Sequence, residues 1–165
     1  MHWFRFAVFV LVAAVLQASL ADIVAITSLN IKPDLLLILL VFFAIYCNTF
    51  EAIISSFVIG FAADIIMVGS PIGPRIIGFG LFGTALAYLS RVITIKKMPY
   101  QSIAIFIIAV LAGTLAHLLA SFRGQPSASG VYAFIFGTSL YSSLVGPFLF
   151  LPSAWWMRIK ADRLS

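Results

Sequence analysis

The sequence predicts an all-α polytopic membrane protein with about six transmembrane helices. Three observations carry that expectation. First, 63% of the 165 residues are hydrophobic and only 9% are charged, against about 25% charged in an ordinary soluble domain, and mean hydropathy is +1.17. Ten basic and five acidic side chains cannot cover the surface of a soluble domain of this size. Second, stretches such as Leu35 to Phe43 and Ile103 to Leu111 are apolar on every face. That suits helices in lipid, whereas barrel strands alternate apolar and polar residues. Third, six spans of about 20 residues would use roughly 120 residues, too much of the chain to leave a second, soluble domain. The expectation is one transmembrane domain over residues 1–165, with spans at about 6–21, 33–50, 52–68, 76–95, 102–121 and 132–151 and a short basic tail at 155–165.

The first run, Phe6 to Ala21, is preceded by Arg5 and followed by Asp22. Ser19-Leu20-Ala21 would also serve as a signal-peptide cleavage site. No soluble domain follows, however, and Ala14 and Ala18 make a small-xxx-small pair suited to helix contact, so the run reads as a span. The second run, Leu35 to Tyr46, is short. It is entered through Asn30-Ile31-Lys32-Pro33-Asp34, with Pro33 expected in the first helical turn and Asp34 at the positive end of the helix dipole. The third, Ala52 to Val68, ends at Gly69-Ser70-Pro71-Ile72-Gly73-Pro74, because two prolines and two glycines cannot continue a helix. The fourth, Ile76 to Ile95, carries Gly78, Gly80, Gly83 and Ala87, which permit close helix approach, and is interrupted by Arg91. A basic turn at Lys96-Lys97-Met98-Pro99 precedes the fifth, Ser102 to Ser121, with Ala112, Ala116 and Ala120 on one face. The polar loop Arg123 to Ser127 leads to the sixth, Tyr132 to Leu151, where Gly146-Pro147 is expected to kink the helix. Trp155 and Trp156 then form an interfacial anchor before Arg158, Lys160 and Arg163.

Orientation follows from the basic residues. With six spans, Arg5, Arg91, Lys96, Lys97, Arg158, Lys160 and Arg163 fall on one side, and Lys32, Arg75 and Arg123 on the other. The first group should be cytoplasmic, and with it both termini. If the short second run does not cross, only Arg5 and Lys32 exchange sides. The C-terminus and the 91–100 turn therefore stay cytoplasmic in either case.

Ionisable groups within spans are the first functional suspects. Asp64 lies roughly 7 Å inside the third run. It is either a structural carboxylate, hydrogen-bonded across helices or paired with Arg75, or a ligand contact, ion site or protonation switch. His117, near the end of the fifth span, reads as a packed histidine bonded to a neighbouring hydroxyl or carbonyl. Asp22 and Asp34 read as solvated caps, and Glu51 as a helix-start residue. With six spans, Asp22, Asp34, Asp64, Arg75, His117 and Arg123 all gather in the half opposite the cytoplasm, where they would form a polar pocket or a partner-docking surface. No catalytic set is expected: two histidines cannot make a three-histidine metal site, and HExxH, GxSxG and Walker A patterns are absent from the sequence. No metal or cofactor is expected. The basic residues flank the spans, which fits orientation and anionic lipid rather than nucleic acid, and the single Cys47 permits no intrachain disulfide.

The central third carries a resemblance. Lys32-Pro33-Asp34-Leu35-Leu36-Leu37 opens a helix, Gly60-Phe61-Ala62-Ala63-Asp64 closes the next span, and Gly69-Ser70-Pro71-Ile72-Gly73 follows. This resembles the MreD family of rod shape-determining membrane proteins in its Pro-Asp entry, its Gly–Asp pair four residues apart and its Ser-Pro-x-Gly turn. The outer thirds match only in length and hydropathy, and Ala62-Ala63 replaces the bulkier pair usual in the family. The resemblance implies a fold similar to the S components of energy-coupling factor transporters. It also implies a non-enzymatic scaffold in the bacterial cytoplasmic membrane. Such a scaffold would bind MreC and link the MreB filament to the peptidoglycan synthases RodA and a class B penicillin-binding protein. With the residue reading, it marks Pro33, Asp34, Gly60, Asp64, Pro71, Gly73, Arg75 and His117 as candidate partner or pocket residues, and Ala14 and Ala18 as a helix-packing face. A second reading is the substrate-binding membrane component of a vitamin or small-solute transporter, with Asp64, Arg75 and His117 lining its pocket.

Overall fold

A computed structural model of the chain describes residues 3–19, 33–66, 73–93, 98–124 and 129–156. Among them are six helices and no strand: α1 (Trp3–Ser19), α2 (Leu35–Tyr46), α3 (Thr49–Ile66), α4 (Pro74–Val92), α5 (Met98–Phe122) and α6 (Val131–Trp156). Each corresponds in order to one of the apolar runs. Three of them, α3, α5 and α6, are long and apolar enough to cross a membrane by length and composition. The fourth helix is also long, but it carries Arg75, Arg91 and three glycines within its 19 residues.

The second helix explains why its run is short. Ten of its 12 residues are buried, and the other five helices surround it. At 1.5 Å per residue it is roughly 18 Å long, well under the ~30 Å of a hydrocarbon core. It is apolar all round because protein touches it all round. Its N-terminus is recessed. The backbone N–H of Asp34 donates to Ser142 Oγ at 2.9 Å, and Ser142 lies three turns into α6. The start of α2 therefore sits roughly 16 Å in from the start of α6.

Close approach of the neighbouring helices depends on glycine. A Cβ on Gly60 of α3 would lie 2.9 Å from Ile76 Cα and 3.1 Å from Arg75 O, backbone atoms that cannot step aside. A Cβ on Gly80 would run into the Phe57 ring, one on Gly83 into Ser56, and one on Gly146 into Ile105. In lipid, where apolar burial drives little, such van der Waals contact is the main source of helix association.

Several boundaries differ from the sequence reading. Pro33 precedes the α2 N-cap instead of lying in the first turn, because Asp34 is extended and caps the helix itself. Pro74 and Pro99 are inside the first turns of α4 and α5, where a missing N–H costs little. The sixth helix continues past Leu151 through Pro147 and Pro152, and Trp155 and Trp156 belong to it. Glu51 lies in the first turn of α3, as expected. Asp22, Lys32, the Ser70-Pro71 turn and the basic tail beyond Trp156 lie outside the described residues.

Candidate functional site

Two carboxylates organise the end of the bundle where α2 and α4 begin. The first is Asp64, 4% exposed. Its Oδ2 accepts from the Gly73 N–H at 2.8 Å and the Ile76 N–H at 3.1 Å, and its Oδ1 from the Arg75 N–H at 3.2 Å. These are orphan donors of the α4 N-terminus. The N-cap residue of α4 is Gly73, with φ +129°, and it has no side chain to offer. Asp64 therefore caps α4 from the neighbouring helix, and its negative charge meets the positive end of the dipole. Gly73 is glycine because its φ of +129° lies in the left-handed region that side chains rarely adopt. The spacing of Gly60 and Asp64 now has a geometric reason. One turn apart on the same face of α3, the glycine admits the first turn of α4 and the aspartate caps it.

The second carboxylate is Asp34. It is buried, not solvated as expected, because three other helices reach it. Its Oδ1 accepts from the Leu37 N–H at 3.2 Å, closing the α2 cap, and from Gln17 Nε2 of α1 at 3.1 Å. Its Oδ2 pairs with Arg75 Nη1 of α4 at 3.2 Å. Gln17 Oε1 in turn accepts from the Leu36 N–H at 3.0 Å. One side-chain amide thus fastens α1 to the recessed start of α2. Of the two pairings open to Arg75, its guanidinium takes Asp34, while its backbone N–H goes to Asp64.

Above the recessed start of α2 lies a cavity of about 180 Å³. Asp34, Arg75 and Leu37 form its floor, Phe79, Ala112, Gly113 and Ile135 its apolar wall, and His117 and Val131 stand at its outer level. The His117 ring meets Tyr132 edge-on at 5.8 Å. Thr138 and Ser139 of α6 also line it. Most helix hydroxyls in this protein are satisfied locally: those of Ser55, Ser56, Thr114, Ser139, Ser143 and Ser153 donate to carbonyls one turn back at 2.6–2.9 Å. Thr138 differs. Its Oγ1 is buried with no hydrogen-bond partner among the described residues, a state that costs about 1–3 kcal/mol.

The candidate residues thus separate into groups. Asp34, Arg75 and His117 line the cavity, whereas Asp64, Gly60 and Gly73 form the α3–α4 joint beside it. Pro33 is buried just ahead of the α2 cap. Ala14 is half-buried against the core, and Ala18 is exposed on a face of α1 shared with Leu11 and Val15. Gln17, Ser142 and Thr138 were not anticipated. Gln17 could have been found as the one long polar side chain within the first apolar run; a lone serine or threonine in a span gives no comparable signal. Among the described residues, no three His, Cys, Asp or Glu side chains are grouped to hold a metal.

Fold and site together define a small helical membrane protein whose few intramembrane ionisable groups fasten helix ends to one another. The family model described as rod shape-determining protein MreD matches residues 1–159. The chain belongs to that family, and is accordingly a membrane protein of the rod-shape system. Comparison with curated proteins and with solved structures gives no match.

Proposed function

We propose that the protein is a non-enzymatic scaffold of the bacterial cell-elongation complex. It binds MreC and couples MreB filaments to peptidoglycan synthesis by RodA and a class B penicillin-binding protein. The observation that carries this reading is the family match over residues 1–159. The use of the polar groups supports it: Asp64 and Asp34 cap helices, and Arg75 neutralises Asp34, so the strongest charges inside the bundle are committed to holding shape. In this reading the six helices form a single domain in the cytoplasmic membrane, with the short α2 enclosed by the other five, in an arrangement similar to the S components of energy-coupling factor transporters. Both termini face the cytoplasm with the basic 91–100 turn. The Asp34 end then faces outward.

The exposed Leu11–Val15–Ala18 face of α1 is the surface on which a partner's transmembrane helix would pack. Ala18 is the small residue in that face, and a leucine there would hold the two backbones apart. The test is a depletion strain of a rod-shaped host complemented with wild-type or Ala18→Leu protein, with MreC co-purification read alongside cell shape. Depletion should round the cells, the wild type should restore rods, and Ala18→Leu should lose MreC while accumulating normally. Rods that persist on depletion, with normal MreC recovery, would refute the scaffold reading. Rounding rescued by Ala18→Leu would refute only the interface.

A further inference from the structure

We propose that the protein thins the bilayer beside its α3–α4 face, in the leaflet at the Asp34 end. The partner of that face is then a lipid surface about 8 Å thinner than an ordinary bilayer. The inference rests on the chain being a membrane protein, and not on the scaffold reading.

The lengths of the exposed apolar faces carry the argument. On α4 the exposed large apolar side chains run from Ile77 to Val92, a rise of roughly 22 Å. Charges close that belt at both ends: Arg75 lies just before it, and Arg91 is exposed in its last turn. On α3 the described exposed apolar residues run from Phe50 to Ile65, over the same rise, and Asp64 meets the first turn of α4 at that end. A hydrocarbon core is about 30 Å thick. The opposite side is longer. Exposed apolar side chains run from Tyr100 to Phe122 on α5 and from Tyr132 to Trp155 on α6, rises of roughly 33–35 Å. Tyr100, Tyr132 and Trp155 are of the type that settles at headgroup level, and a modest tilt fits such a belt to an ordinary bilayer.

The two sides are level at one end of the bundle and stepped at the other. Near the start of α5, Gln101 Nε2 donates to Tyr46 Oη at the finish of α2, and Arg91 Nη2 of α4 donates to the Cys47 carbonyl beside it. At the same end Trp156 Nε1 of α6 donates to the Arg5 carbonyl of α1 at 3.4 Å. At the other end Asp34 gathers Arg75 of α4 and Ser142 of α6. From Ser142, however, α6 continues outward for roughly 16 Å. Those outer turns expose Tyr132, Phe136 and Leu140. They call for hydrocarbon at heights where α4 has already reached Arg75. A bilayer meets a short belt, and charges within it, by thinning locally.

The test uses the full chain with Cys47→Ser in vesicles of dioleoyl phosphatidylcholine. One nitroxide at a time is placed on an exposed position, and its depth is read from collisions with oxygen and with a water-soluble nickel chelate. Ile77→Cys and Leu140→Cys put labels at similar heights in the bundle, since Arg75 and Ser142 both reach Asp34. The Leu140 label should nevertheless lie roughly 12 Å deeper in the bilayer, the rise from Tyr132 to Leu140. Labels at Val92→Cys and Trp155→Cys, at the level end, should read equal depths near the headgroups. In vesicles of 14-carbon lipid the gap between Ile77 and Leu140 should shrink, because the bilayer then suits the shorter belt everywhere. All these side chains are exposed, so the labels displace no packed group. Equal depths at Ile77 and Leu140, or a gap indifferent to lipid chain length, would overturn the proposal. A matching gap between Val92 and Trp155 would do the same, since it means a tilted bundle in a flat bilayer. So would a Leu81→Cys label shielded from oxygen, because a second copy would then cover the α4 face.

Discussion

The two ends of the α2 helix are held by different physics. At its start, Asp34, Gln17, Arg75 and Ser142 tie four helices together through charged and polar hydrogen bonds, with Asp64 capping α4 alongside. At its finish, the fastening is aromatic. Phe42 lies at ring-centroid distances of 5.0–5.5 Å from Phe43, Tyr46 and Phe150, and Phe6 of α1 meets Phe43 edge-on at 5.0 Å. Polar bonds join it: Gln101 Nε2 donates to Tyr46 Oη at 2.6 Å, Arg91 Nη2 to the Cys47 carbonyl at 2.7 Å and Ser90 Oγ to the Ala44 carbonyl at 3.1 Å. The contrast teaches where specificity resides. Aromatic packing is the sum of many small contacts, none of which fixes the geometry alone. A carboxylate aimed at three backbone N–H groups has one register.

The comparison breaks most readily at Arg75. Removing it leaves Asp34 buried and uncompensated, so Arg75→Met should destabilise the fold by about 3–5 kcal/mol, measured by titrating the purified protein with denaturing detergent. Asp34→Asn in the same chain should recover most of that loss, because the unpaired charge is gone. A double variant no better than Arg75→Met would show that the ion pair matters for more than charge neutrality.

A smaller effect is expected at the α3–α4 joint. Asp64→Ala strips the cap from the Gly73, Arg75 and Ile76 N–H groups and should cost about 2–3 kcal/mol. Hydrogen exchange should then quicken at the first turn of α4 while α2 amides stay protected. Uniform loss of protection would mean that the joint and the Asp34 cluster unfold as one unit.

The smallest effect belongs to the aromatic end. Tyr46→Phe keeps the ring and its contacts with Phe42 and Phe150 but deletes the hydroxyl that accepts from Gln101. It should cost about 1 kcal/mol in the same detergent titration. A loss as large as that of Asp64→Ala would erase the distinction between the two ends.

Much of the architecture was legible in the sequence, and the reason is local. A helix in lipid satisfies its own backbone within the segment, so runs such as Ala52 to Val68 and Ser102 to Ser121 announce themselves without knowledge of their neighbours. Punctuation was readable for the same reason, as at Gly73-Pro74. The site was legible only in part. Asp64 stood out by its position inside a span and Gly60 by the family resemblance, but pairing Asp64 with Arg75 through the side chain and leaving Asp34 in solvent were both natural readings of a linear chain. Neither anticipates that the Arg75 guanidinium reaches from α4 to the floor beneath the cavity, or that Gln17 crosses from α1 to the same carboxylate.

Composition and spacing by themselves determined that this is a helical membrane protein and how its helices are ordered. Tertiary structure alone decided that α2 is an enclosed central helix, that it starts three turns inside α6, and that a cavity opens above it. The physical reason is the range of the interactions. Helix formation and termination depend on residues within a few positions of one another. The recess depends on the Asp34–Ser142 bond, between residues 108 apart in the chain, and only the folded bundle brings those two together.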